Sequence, residues 1–204
     1  MTKRDANRLL GAATASLDNF VMRGRVAWMR PVGEVARGVA IDESSFDPAG
    51  FYAWAFVMPV FVPSSHVSFS LGFRLKRRDG SQRWNANEPA CTTELAAAIA
   101  TQAVPQLQPV NDAVSVMSFM HRRGIVDQHT TLLCYAKLGD IAAAEQAFQE
   151  LLRGLDMSVK WQRELAESMS DVLHKLRHSQ AETDRQLQQW SNATAESLGV
   201  EDLL

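Results

Sequence analysis

The chain has 204 residues, of which 46% are apolar and 22% charged, and its formal net charge is −2. This composition excludes a disordered or fibrous protein, and the near-neutral charge excludes a general attraction to nucleic acid or to anionic membranes. The length suits one domain, or one domain with a helical extension.

The cysteines and the first residues predict a cytoplasmic location. Cys91 and Cys134 are far apart and lack CxxC spacing, which is typical of free buried thiols in a reducing compartment. The opening residues contain no long apolar run, so we expect no secretory signal. The uncharged stretch 49–73 is interrupted by Pro59 and Pro63, and its apolar part is shorter than the roughly 20 residues of a spanning helix. We therefore expect no membrane partner.

The first part of the chain predicts a helix followed by an antiparallel sheet. The helix is expected over residues 3–19. Four strands are expected at 21–30, 34–41, 51–62 and 67–77, and in the last of these apolar and polar residues alternate, as they do along one half-buried strand. The short connections favour antiparallel pairing in sequence order.

The third predicted strand is apolar on both faces. Tyr52, Trp54 and Phe56 point to one face, and Ala53 and Val57 to the other. A sheet face of this kind must be covered, because large exposed apolar patches are rare on monomers. The N-terminal helix covers one face, so we expect the C-terminal helices, or else a partner protein, to cover the other.

The second part of the chain predicts helices, separated by Pro, Gly and N-capping Asp residues. They are expected at 89–104, 111–123, 127–138 and 140–153. Residues 155–198 contain neither Gly nor Pro and predict either two helices with a break near 178–181 or one long helix. Trp161 lies on the apolar stripe that we expect this segment to bury.

The strands thus precede the helices, which is typical of the α+β class. We expect residues 1–88 to form a helix with a four-stranded antiparallel sheet, 89–154 a helical region, and 155–204 a long helix or helix pair. Together they would make one compact domain with a helical extension.

The segment 131–152 resembles one tetratricopeptide unit. Tyr135, Gly139, Ala144 and Phe148 match the tyrosine, turn glycine, small alanine and aromatic positions of that family. Leu151 stands where the family has alanine, and no second copy is found in the chain. Because arrays of such units need at least three copies, the resemblance implies a single helical hairpin that serves as scaffold.

No catalytic, cofactor-binding or metal-binding motif occurs in the sequence. Nucleotide-binding, kinase and nucleophile-elbow patterns are missing. His174 and His178 have the i, i+4 spacing that can place two zinc ligands on one helix face, but a solvated face explains them more simply. We therefore expect no catalytic residue, no cofactor and no metal.

One dense basic cluster predicts a partner-binding surface. The cluster lies around an Asp-Gly turn, precedes Trp84, and consists of Arg74, Lys76, Arg77, Arg78 and Arg83. We expect Arg77, Arg78, Arg83 and Trp84 to bind the partner, because arginine and tryptophan dominate binding energies at protein interfaces. Such a cluster would favour a partner with an acidic patch. Nucleic acid binding and a solvated sheet edge are the alternatives. The alternative partner-binding site is the segment 180–190, because Trp190 would be exposed to solvent unless another surface packs on it.

The layout of residues 1–85, a helix followed by four strands, resembles small bacterial α+β families, some of which occur in toxin–immunity loci. The resemblance implies a protein that neutralises its partner by covering it. We therefore expect a non-catalytic protein-binding module, and the resemblance implies the immunity type. The alternatives are a structural subunit that forms homodimers through its C-terminal helices, and an enzyme of a class that the sequence does not identify.

Overall fold

A computed structural model describes residues 3–43 and 47–203, and it confirms the α+β class. An N-terminal helix, α1 (Lys3–Thr14), precedes an antiparallel sheet, and the helical half follows. The strands are β1 (Phe20–Arg23), β2 (Val26–Met29), β3 (Val35–Glu43), β4 (Gly50–Pro59), β5 (Gly72–Arg74) and β6 (Arg83–Asn85). They are ordered β1-β2-β3-β4, and β5 and β6 both pair with β4.

The described part of the sheet therefore has six strands where four were expected. The first expected strand is a hairpin, because Gly24 turns the chain with a φ of 58° that a glycine adopts without strain. The fourth is reduced to the three residues of β5. The short strand β6 was missed because Arg83 and Asn85 flank its single apolar residue, Trp84.

The helices of the second half lie close to the expected positions. Their bounds are α2 (Cys91–Ala98), α3 (Val104–Leu107), α4 (Ala113–Arg123), α5 (Gln128–Leu138), α6 (Ile141–Arg153), α7 (Lys160–His178) and α8 (Gln180–Leu198). The first helix does not stop at Pro105 as expected. A π-helical turn over Ile99–Ala103 joins α2 to α3. In a regular α-helix the Pro105 ring would clash with the preceding turn, and the wider π-helical turn accommodates it.

The long segment without Gly or Pro is two helices. Ser179 separates α7 from α8 in an extended conformation, and its side chain accepts a hydrogen bond from the Glu182 N–H. The tetratricopeptide-like segment forms the hairpin α5–α6, in which Gly139 turns the chain at a φ of 74° and Ala144 is fully buried.

The two faces of β4 are covered by different parts of the chain. Phe51, Ala53, Ala55 and Val57 belong to the main core, into which α1, α2 and the later helices also pack. On the second face, Phe56 and Met58 pack in a smaller cluster with the C-terminal end of α8 and the residues that follow it. The expectation that C-terminal helices cover the second face is confirmed for the part of that face that contains Phe56 and Met58.

Close packing on the second face depends on Gly38. Trp28 and Phe56 flank this residue in the register, and their rings meet edge to face at 5.4 Å. A Cβ atom at position 38 would lie 2.5 Å from the Ala27 carbonyl oxygen and 3.1 Å from the Phe56 ring. A glycine is thus required for two aromatic rings to meet over β3.

A buried arginine joins the sheet to the helical layer. Arg37 in β3 is 3% exposed, and its guanidinium donates hydrogen bonds to the Gln108 carbonyl at 3.1 Å and to the Pro31 carbonyl. Burial lowers the pKa of this guanidinium. Arg37 thereby satisfies backbone carbonyls at the end of α3 that would otherwise be buried without a donor.

We predict that Arg37→Met lowers the free energy of unfolding by about 2–4 kcal/mol, because the substitution leaves these carbonyls without donors in the interior. Urea denaturation measures the change. Arg122→Met, at an exposed position of α4, is the control and should change the free energy by less than about 0.5 kcal/mol. Equal stabilities of the two variants would contradict the role assigned to Arg37.

Candidate functional site

The structure places Trp84 of the predicted basic cluster in the core. Its side chain is 1% exposed, its ring stacks on Phe51 of the neighbouring strand at 6.2 Å, and its Nε1 donates a hydrogen bond to the Leu75 carbonyl. Trp84 therefore stabilises the pairing of β6 with β4, and its ring is not accessible to a partner in this conformation.

The arginines of the cluster differ in how far they are neutralised within the chain. Arg77 forms ion pairs with Glu88 and Glu94, and the hydrogen bond to Glu88 raises its pKa. Arg83 lies 2.7 Å from Asp47, and Arg78 has an exposed side chain. A partner-binding role for these arginines stays a prediction, with Arg78 the most available.

The other tryptophans also differ from expectation. Trp190 is half-buried and packs against the main core from α8, so its own chain provides the packing that the sequence left open. Trp161 was expected on a buried stripe but is 61% exposed. Trp161 lies in the first turn of α7 and precedes Leu165, which is the first residue of that helix to pack against the main core.

Trp161 lines a cleft of about 930 Å³ between the sheet and the helices. One wall is the end of β4 with residues 62–71, and the other is formed by the first turns of α5 and α7. Apolar residues form much of the lining: Val57, Met58, Pro59, Val62, Leu71 and Leu165. A second cavity of about 390 Å³ shares Ser70, Asp127 and His129 with the cleft and continues past Val126, which is 82% exposed.

The cleft also contains polar side chains, but they do not form a catalytic pair. Both oxygens of Asp127 accept hydrogen bonds from Thr130, one from its N–H and one from its hydroxyl, each at 3.0 Å. The Ser70 hydroxyl lies 2.9 Å from that of Ser68, and the His129 Nε2 is buried without a hydrogen-bond partner. His66 also lines the cleft, and its Nδ1 lies 3.5 Å from the hydroxyl of the adjacent Ser65, at the distance limit of a hydrogen bond and in an exposed position. Within residues 3–43 and 47–203, no serine that lines the cleft is hydrogen-bonded to a histidine ring as a nucleophile requires.

Neither cysteine is disposed to act as a nucleophile. Both thiols are free and buried, and burial raises the pKa of Cys91 to about 11 and that of Cys134 to about 12. The thiolate is the reactive form, so both are inert near neutral pH. His174 and His178 contact each other with ring centroids 4.5 Å apart, but the described residues contain no group of three side chains that could hold a metal ion.

The segment 67–70 separates the cleft from the second face of the sheet. Ser68 and Ser70 line the cleft, whereas Val67 and Phe69 pack on the second-face cluster. The alternation seen in the sequence is thus preserved in a segment that does not form a strand. Phe69 stacks on Trp54 with centroids 5.2 Å apart and planes inclined by 6°.

Beyond Phe69, the second face carries a half-buried group of aromatic residues and one arginine. The Cζ atom of Arg74 lies 4.0 Å from the centroid of the Tyr52 ring and 4.9 Å from that of Trp54. Tyr52, Trp54 and Arg74 are all half-buried. We refer to these three residues as the arginine–aromatic surface. The sequence pattern placed Tyr52 and Trp54 on one face but grouped Arg74 with the basic cluster near the turn. The pairing that sets Arg74 opposite Trp54 joins residues 20 positions apart in the chain, which the local pattern does not reveal.

No known protein family matches the chain, and no curated protein or solved structure is significantly similar to it. Among the described residues, no helix is both long and apolar enough to cross a membrane. The site must therefore be judged on its own geometry.

We predict that His129 makes the protein less stable at acid pH. Burial lowers its pKa, although Asp127 partly opposes this, so the folded state binds a proton less readily than the unfolded state, in which the pKa is about 6.5. Above that pH both states are neutral at His129. As the pH falls below about 6.5, the unfolded state is protonated first and the free energy of unfolding decreases.

Urea denaturation at pH 7.5 and 5.5 measures this effect. The decrease should be smaller by up to about 1.4 kcal/mol in His129→Gln than in the parent protein. His121→Gln, at an exposed position of α4, is the control, and its free energy of unfolding should decrease by the same amount as that of the parent. Identical decreases in the parent and in His129→Gln would contradict the prediction.

Proposed function

We propose that this chain is a non-catalytic module that binds another protein. The observation that carries the proposal is the position of Trp161, which is 61% exposed in the wall of the cleft of about 930 Å³. Tryptophan is enriched among the residues that contribute most to binding energy at protein interfaces, and an apolar cleft beside it would receive an apolar side chain of the partner. Val126 continues the exposed apolar surface along the same side.

In the described part of the cleft, no lining serine is hydrogen-bonded to a histidine ring, which favours binding over catalysis. The two raised thiol pKa values support the same choice, because they leave both cysteines protonated. A reducing, cytoplasmic location is part of the proposal, and the free state of both cysteines agrees with it. An immunity-type role, in which the module covers and neutralises a toxin, is the specific form that we propose.

Assembly through the C-terminal helices is the alternative, and the packing of these helices makes it less favourable. Leu187 in α8 is 1% exposed, and Trp190 packs within its own chain. The end of α8 is occupied in covering the second face of the sheet. A homodimer would therefore need a different surface of α7 and α8 from the apolar stripe that suggested it.

We predict that Trp161→Ala weakens binding to the partner at least tenfold, about 1.4 kcal/mol, because the variant removes an anchor from the interface. The melting temperature should change little, since this side chain is largely exposed in the free protein. The partner is first isolated by stoichiometric copurification with the tagged chain from lysate of the source cells. Its affinity for each variant is then measured by calorimetry.

Val114→Ala is the matched control, because Val114 is 53% exposed on α4 and does not line the cleft. It should bind as the parent does. If Trp161→Ala binds the partner as tightly as the control, the cleft is not the interface. If the tagged chain retains only further copies of itself, assembly replaces partner binding as the function.

A further inference from the structure

The guanidinium of Arg74 lacks the partners that arginines in folded proteins usually have. Its Nε is buried without a hydrogen-bond acceptor, and within the described part of the chain it forms no ion pair. Two other arginines at the sheet are neutralised. Arg83, two residues further along the edge of β4, pairs with Asp47, and Arg25 lies 3.7 Å from Glu43. Arg74 is thus a half-buried cation with one buried donor, its Nε, that has no acceptor in the described chain.

The rings around Arg74 hold its guanidinium in place. Tyr52 and Trp54 are two residues apart on β4 and therefore project to the same face, where Arg74 lies opposite Trp54 in the register. Phe69 in turn stacks on Trp54. Stacking of this kind fixes the plane of a guanidinium, so less side-chain entropy is lost when its N–H groups bind a ligand.

The chemistry of this arrangement selects a carboxylate. A guanidinium held in a plane presents parallel N–H donors that match the two oxygens of a carboxylate group. The acidic residue in register on this face is Asp42, opposite Tyr52 on β3. Strand β3 is two strands away from β5, so their backbones are about 10 Å apart across the sheet, and no ion pair joins Asp42 to Arg74 in the described chain. Asp42 therefore leaves the site open to a carboxylate from outside the chain.

A carboxylate fits better than the phosphates of a nucleic acid. Phosphate backbones are bound by several unpaired basic groups acting together. Arg83, Arg25 and Arg77 are each paired with a carboxylate, which leaves Lys76 and Arg78, both exposed after β5, as the nearby cations without an ion pair in the described chain. Bases are recognised by stacking on free aromatic rings, and here Phe69 and Arg74 already lie on the Trp54 ring.

We propose that Arg74, held by Tyr52 and Trp54, is the receptor for a glutamate or aspartate side chain of the partner protein. This inference deepens the proposed function and rests on it, since the segment 67–70 brings the arginine–aromatic surface next to the cleft that contains Trp161. One partner surface can cover this segment, placing an apolar residue in the cleft and an acidic residue on Arg74.

The test is an NMR titration of the full chain at low salt with an acetylated tetraglutamate peptide. The side-chain N–H signal of Arg74 and the indole N–H signal of Trp54 should shift saturably. A tetraglutamine peptide should cause no saturable shift, because it lacks the charge. Arg74→Gln should weaken tetraglutamate binding at least tenfold, as followed by the Trp54 signal. Arg74→Lys, which keeps the charge and loses the planar fork, should weaken binding to an intermediate extent.

Arg185→Gln is the matched control, because the Arg185 side chain is 74% exposed on α8, and it should bind tetraglutamate as the parent does. Unchanged binding by Arg74→Gln overturns the inference. Tighter binding of tetrathymidylate or of inorganic phosphate also overturns it, in favour of a phosphate site. The two proposals fail separately: if Trp161→Ala abolishes partner binding and Arg74→Gln does not, the module and its cleft stand while the carboxylate receptor does not.

Discussion

Strand β4 lies at the centre of the sheet and is apolar on both faces, and the rest of the molecule is arranged to cover it. Nine residue pairs join it to β3, and both β5 and β6 pair with its other edge. The first face is covered within the main core by helices from both ends of the chain. The second face needs a cover of its own, because a half-exposed row of aromatic residues is costly in water.

The chain covers the second face in two different ways. At one end, Ala195 and Val200 close over Phe56 and Trp28, so the last residues of the chain stabilise its first strands. At the other end, Phe69 and Arg74 pack on Trp54. This second cover leaves part of each side chain accessible and contributes a guanidinium with unused donors. The same constraint that stabilises the fold therefore produces a surface that is suited to binding.

Sequence periodicity predicted the parts of the fold that depend on local physical chemistry. The capping residues Asp127 and Asp140 and the turn residue Gly139 placed the α5–α6 hairpin, and Ser179 lies where a break was expected. The site was less predictable. Whether Trp84 or Trp161 is exposed depends on which strand pairs with β4 and how far α7 extends beyond the core, and neither follows from residue type. The closeness of Arg74 to Tyr52 likewise arises from long-range pairing.

The five tryptophans allow the central claim to be tested in one measurement, oxidative footprinting of the free chain and of its complex with the copurified partner. In the free chain, Trp161 should react fastest, Trp54 and Trp190 at intermediate rates, and the buried Trp28 and Trp84 slowest. On binding, Trp161 and Trp54 should both be protected, while Trp28, Trp84 and Trp190 keep their rates. Protection of Trp190 with unchanged rates at Trp161 and Trp54 would contradict the account, because the interface would then lie on the C-terminal helices.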